Sequence, residues 1–172
     1  MRKELLNPTP EGEARLLLLI AAFSAGAQTL EGRTKLAKLD FFLRYPGFLK
    51  RALAIRAPTT KITSPIPETD TIEERMVRYR YGPWDPSYFA TLGRLIGKRL
   101  IEAVPTARGI GYRATPMGRE LGTRIAASEP WQEVADSCKV LKKHLDLSGN
   151  SLKQFIYEHF PEVTAATWGD KL

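Results

Sequence analysis

A short hairpin set between capped helices constrains this chain more than any other stretch. "LIEAV" (100–104) and "IGYRAT" (110–115) read as strands, and "PTARG" (105–109) between them is a turn that ends in glycine. Thr115-Pro116 then has the form of a helix start, threonine as N-cap and proline in the first turn, ahead of "PMGRELGTRIAA". Asp85-Pro86 repeats that signal before "PSYFATLGRLIGKRL", where Phe89, Leu92, Leu95 or Ile96, and Leu100 recur at helical spacing on the expected apolar side. The order helix, hairpin, capped helix predicts a mainly α protein. Its form would be a winged helix-turn-helix with a small β-hairpin wing and additional C-terminal helices.

Upstream, Thr9-Pro10-Glu11 predicts another helix start, with the helix running to about Ala25. Leu36, Leu39, Phe42 and Leu43 mark a second helix, Tyr45-Pro46-Gly47 a break, and "FLKRALAI" a short third helix. The Thr- and Pro-rich segment 57–71 has no apolar period and reads as a linker. Thr71-x-x-Glu74 is a capping-box signal for a helix over "IEERMVRYRY", and Gly82 to Asp85 is then a tight helix–turn–helix corner plugged by Trp84. The resulting division is 1–57 for the N-terminal helices of the body, 58–70 for the linker, 71–127 for the helix-turn-helix and wing, and 128–172 for a C-terminal helical extension. In that extension two helices meet at Ser148-Gly149-Asn150, and the last residues show no pattern. Phe155, Ile156 and Phe160 form a stripe that calls for a hydrophobic partner surface, inside the chain or on another subunit.

Charge narrows the function. The net charge is +7, and residues 71–127 hold nine arginines and one lysine against five acids. Arginine forks suit phosphate or carboxylate, so a nucleic acid or an acidic protein surface is the expected partner. Arg94 and Lys98 on the helix, Arg108 at the wing tip and Arg113 on its second strand are the candidate contacts.

Chemistry is absent from the motifs. There is no phosphate-binding Gly-x-x-x-x-Gly-Lys-Ser/Thr loop, no Gly-x-Ser-x-Gly elbow and no His-Glu-x-x-His helix. Acids do not cluster with a lysine as a nuclease site needs. Cys138 stands alone and His144 and His159 lie on separate helices, so neither catalytic residue, metal nor cofactor is expected. A lone cysteine also fits a reducing compartment, and the cytoplasm is the expected location. "LLLLIAAF" (16–23) is too short to span a membrane, and the acids and prolines before it argue for a retained first helix over a cleaved signal.

"MVRYRYGPWDPSYFATLGRLIGKRLIE", "GYRATPMGREL" and "SLKQFIYEHFPE" together resemble the small winged-helix middle subunits of bacterial three-component ABC/SMC-type antiphage defence systems, the Lamassu-like group. The likeness spans roughly residues 10–165, and the Gly-Pro-Trp-Asp turn is its most distinctive element. It implies a non-catalytic subunit bound to an SMC-like ATPase and an effector nuclease, in a complex that senses DNA, where any contact of the subunit itself with double-stranded DNA is non-specific. The residues themselves leave a second reading open, a dimeric winged-helix transcription regulator.

Overall fold

The computed structural model describes residues 6–62, 66–67, 76–79 and 82–172. Its first helix, α1 (Pro10–Phe23), starts where the sequence predicts: the Thr9 hydroxyl accepts from the Gly12 amide at 3.0 Å, with Glu11 and Glu13 in the first turn. Leu16, Leu17, Leu19, Ile20 and Phe23 on α1 are all buried. The apolar run is uniform because α1 is packed on several sides, touching α2 (Gly32–Arg44), α4 (Tyr88–Gly97), α5 (Pro116–Ala126) and α6 (Trp131–Leu145). α3 (Pro46–Arg56) follows α2 after the break at Tyr45.

The hairpin forms where predicted but with a tighter turn, since Pro105, Thr106 and Gly109 belong to the paired strands and only 107–108 connect them. β4 (Ile101–Thr106) pairs antiparallel with β5 (Gly109–Ala114), from Ile101 opposite Ala114 to Thr106 opposite Gly109. Gly109 takes a φ of +120°, which the turn requires and other residues resist. A two-residue strand, β1 (Leu30–Glu31), adds to the free edge of β5, so the sheet order is β1-β5-β4. Thr115 caps α5 by accepting from the Gly118 amide at 3.0 Å. Helix, sheet and helix are joined at Ser24, whose hydroxyl donates to the Ile20 carbonyl at 2.6 Å and accepts from the Ala114 amide at 3.1 Å, and whose carbonyl accepts from Arg119 of α5. The molecule is thus mainly helical with a small antiparallel sheet.

Two expectations fail around the Gly-Pro-Trp-Asp turn. Residues 77–79, predicted helical, form strand β2 (Val77–Tyr79), and Gly82–Trp84 is strand β3 rather than a helical corner. The Thr71–Glu74 capping box lies outside the described residues. β2 is extended because it is paired on both sides. Beyond β3, its other edge meets the C-terminal tail, where the Arg78 amide donates to the Asp170 carbonyl at 2.9 Å and the Gly169 amide to the Arg78 carbonyl at 2.8 Å. Local helix signals lose to hydrogen bonds supplied by a segment some ninety residues away.

The C-terminal extension belongs to the same core. α6, α7 (Gly149–His159) and α8 (Pro161–Ala165) bury Leu141, Leu145, Leu152 and Val163 in one cluster with α1 and α2. The proposed stripe finds its surface inside the chain. Ile156 and Phe160 are fully buried and Phe155 nearly so, with the Phe160 ring 5.9 Å from Phe42 and 5.4 Å from Phe48. The chain itself covers all three residues. Of segment 58–70, the described residues hold no helix or strand, and Ile62 and Ile66 pack partly buried on the core.

Candidate functional site

Asp85 of the Gly-Pro-Trp-Asp turn sits at the end of a buried charge network that positions α4. Asp40 on α2 is fully buried and accepts from Arg15 Nε at 2.6 Å, Arg44 Nε at 3.0 Å and the Tyr88 hydroxyl at 2.7 Å. Arg44 in turn donates through Nη2 to Asp85 Oδ2, and the other oxygen of Asp85 accepts from the Ser87 amide at 2.7 Å, turning the chain into α4. Two arginines and two aspartates balance in charge. Burial opposes ionisation of Asp40, but Arg15 and Arg44, with hydrogen bonds from Arg15 and Tyr88, hold its carboxyl below the ordinary range. Burial and the Asp40 charge push the Tyr88 hydroxyl well above its own range, so it stays a donor. The network is scaffolding, and it fixes which face of α4 looks outward.

That face differs from the prediction. Tyr88, Thr91, Leu92 and Leu95 are buried, whereas Phe89, Ala90, Gly93, Arg94, Ile96 and Gly97 are exposed. Phe89, expected on the core side, is 61% exposed and Ile96 40%. Tyr88 takes the inward place beside Asp40, one position earlier than the apolar period implied.

The four candidate cations all lie near acids of their own chain. Arg94 on α4 and Lys98 at its C-cap both reach Glu13 of α1: Arg94 Nε is 2.9 Å from Oε1, and Lys98 donates to Oε2. Arg113 Nε donates to Glu102 across the hairpin at 2.8 Å, and Arg108 lies 3.9 Å from Glu31. Arg94 and Lys98 are brought together. Arg108 and Arg113 sit apart from them on the hairpin.

A second feature was missed as a site, although its rings stand out in "RYRYGPWDPSYF". The N-terminal half of α2 and the β2–β3 hairpin enclose a groove of about 520 Å³. Arg33, Thr34 and Lys38 line one side, and Tyr79, Trp84 and Phe89 the other. Burial, and then the Lys153 charge, push the Lys38 amine down to about 8. Arg78 of the same stretch is turned inward, with Nε 3.4 Å from the Thr164 carbonyl.

Among the described residues no group of three or more His, Cys, Asp or Glu is placed to hold a metal ion, and no helix is long and apolar enough to cross a membrane. Cys138 is buried, and burial with the Asp40 charge pushes its thiol above the ordinary range. No family model matches the chain, and no curated protein or solved structure matches it.

Proposed function

We propose that the chain is a non-catalytic winged-helix docking subunit, which presents α4 to an SMC-like ATPase within an antiphage defence complex that also holds an effector nuclease. The order α1, β1, α2, α4, β4, β5 with sheet order β1-β5-β4 supports the winged-helix part. In this reading α2 and α4 are the helix pair, β4–β5 is the wing, and residues 45–87 are an insertion between the helices. The partner class comes from the resemblance of the Gly-Pro-Trp-Asp, wing and C-terminal segments described above.

The observation that carries docking over DNA reading is the outward face of α4. Major-groove readout needs side chains that exchange hydrogen bonds with base edges. α4 offers Phe89, Ala90, Gly93, Ile96 and Gly97, and its two cations are engaged by Glu13. An apolar face with small residues at its centre suits close approach by another protein. Contact with double-stranded DNA is then weak and non-specific, through Arg108 and the hairpin.

Co-expression with the product of the neighbouring gene, which this reading requires to be a coiled-coil ATPase, tests this. Tagged chain should capture the ATPase, and Gly93→Asp with Ile96→Asp should abolish capture while circular dichroism stays unchanged. The chain alone should bind duplex DNA no tighter than about 10⁻⁴–10⁻⁶ M, with a steep salt dependence. A nanomolar, sequence-specific footprint would establish the transcription-regulator reading instead.

A further inference from the structure

The groove between α2 and the β2–β3 hairpin adjoins the α4 face, because Phe89 belongs to both. Its volume of about 520 Å³ lies in the range of formed ligand pockets. Tyr79 and Phe89 are 51% and 61% exposed on its rim, a large share for aromatic rings. Trp84 stands between them, its ring centroid 5.9 Å from Tyr79 and 6.1 Å from Phe89. The Arg33 guanidinium lies 4.4 Å from the Phe89 centroid. Among the described residues that line the groove none is acidic, and Arg33 and Lys38 are basic.

We propose that this groove seats an acidic peptide segment of the docking partner, with one bulky apolar side chain against Tyr79, Trp84 and Phe89 and a carboxylate on Arg33. The inference rests on the docking reading of α4 and names the chemistry of the partner there. Charge complementarity chooses the anion: the charged residues among the described lining are Arg33 and Lys38, on a chain of net charge +7. The ring geometry chooses peptide over single-stranded nucleic acid. Base stacking needs an open, flat ring face, but Tyr79 and Trp84 are tilted by 35°, Trp84 and Phe89 by 56°, and Arg33 covers one face of Phe89. Tilted rings around a cavity make a socket for a side chain. A carboxylate in the groove would also favour the charged form of the Lys38 amine, which burial and then Lys153 oppose.

A chain carrying Trp131→Phe and Trp168→Phe keeps Trp84 as its only tryptophan, and its emission reports the groove directly. The probe is the hexapeptide acetyl-Asp-Glu-Leu-Phe-Asp-Glu-amide, with acetyl-Lys-Lys-Leu-Phe-Lys-Lys-amide as its charge opposite. The acidic peptide should shift Trp84 emission saturably, the basic one should not, and Arg33→Glu should weaken the acidic peptide by about tenfold or more. Isothermal titration on the unmodified chain repeats the measurement without the tryptophan changes. Equal binding of both peptides, tighter binding of octathymidylate, or no saturable binding of the acidic peptide each overturns the proposal. The two readings fail separately. ATPase capture that is lost in the Gly93→Asp, Ile96→Asp chain, with no peptide binding, removes the groove proposal alone. Peptide binding with capture unaffected by the α4 changes removes the α4 reading.

Discussion

Gly118 lets α5 approach the backbone just before β4. A Cβ there would stand 1.8 Å from the Leu100 carbonyl oxygen, which is backbone and already accepts from the Thr115 amide at 3.1 Å. Gly118→Ala must therefore push α5 off the start of the hairpin, at a cost of more than about 2 kcal/mol. Gly122, one turn later, has room: its added carbon would meet only Leu18 Cδ2, at 3.9 Å. Gly122→Ala should raise stability by up to about 1 kcal/mol through helix propensity, and urea melts of the two variants should move in opposite directions. Lys38 gives a prediction of a different kind. Its folded-state pKa is lowered from 10.5 to about 8, so between those values the unfolded chain binds the extra proton and stability rises with pH. Below pH 8 the buried charge costs about 3 kcal/mol. Lys38→Met should accordingly be more stable than the parent at pH 7, and that advantage should shrink as melts are repeated from pH 8 to 10.5. A constant difference across that range would show that the lysine does not titrate with folding.

At the level of elements, α4 is held to α1 by charge as well as by packing. Glu13 is 6% exposed, and its carboxylate meets both Arg94 and Lys98, whose side chains are about half exposed. Solvent screening on the cation side keeps each contact small, while leaving Glu13 buried and unpaired is the larger penalty. Replacing Arg94 and Lys98 together by glutamine should destabilise the chain by about 1–2 kcal/mol, and the loss should largely vanish in a Glu13→Gln background. A thermodynamic cycle over the four proteins measures it. Glutamate at these positions is a poor probe of DNA contact for the same reason, since it would place new carboxylates against Glu13. Glutamine separates the fold from the interface.

For the whole molecule, the C-terminal tail ties β2 to the core. The tail runs along β2, the Leu172 amide donates to the Met76 carbonyl at 3.2 Å, and the Tyr45 hydroxyl donates to the Leu172 carbonyl at 3.1 Å. Met76 itself is fully buried. Removing residues 167–172 takes the Asp170 acceptor from the Arg78 amide and leaves β2 with one paired edge. Hydrogen exchange at Arg78 should then speed up, while the Ala114 amide, bonded to Ser24 at the opposite end of α1, should keep its protection. Equal loss at both sites would mean that the tail supports global stability rather than the hairpin alone.

What could be read from the sequence depended on how far apart the interacting groups lie along the chain. Thr9 and Thr115 cap their helices through bonds to residues three positions on, and the β4–β5 turn is closed within a few residues, so each carries its own signal. The mainly helical class and the burial of the apolar run in α1 follow from patterns of the same short range. β2 has no such signal, because one of its partners is the tail near Asp170, and β1, at two residues, is too short to show a period. The outward turn of Phe89 was set by Asp40, which draws Tyr88 inward from another helix. The engagement of Arg94 and Lys98 was set by a glutamate on α1, more than eighty residues before them. The sequence by itself determined caps, turns and periodicity, whose energies are local. Only the tertiary structure decided which cations are matched, which rings face solvent and where the β2–β3 groove opens, because each of those depends on groups that folding alone brings within a few ångströms.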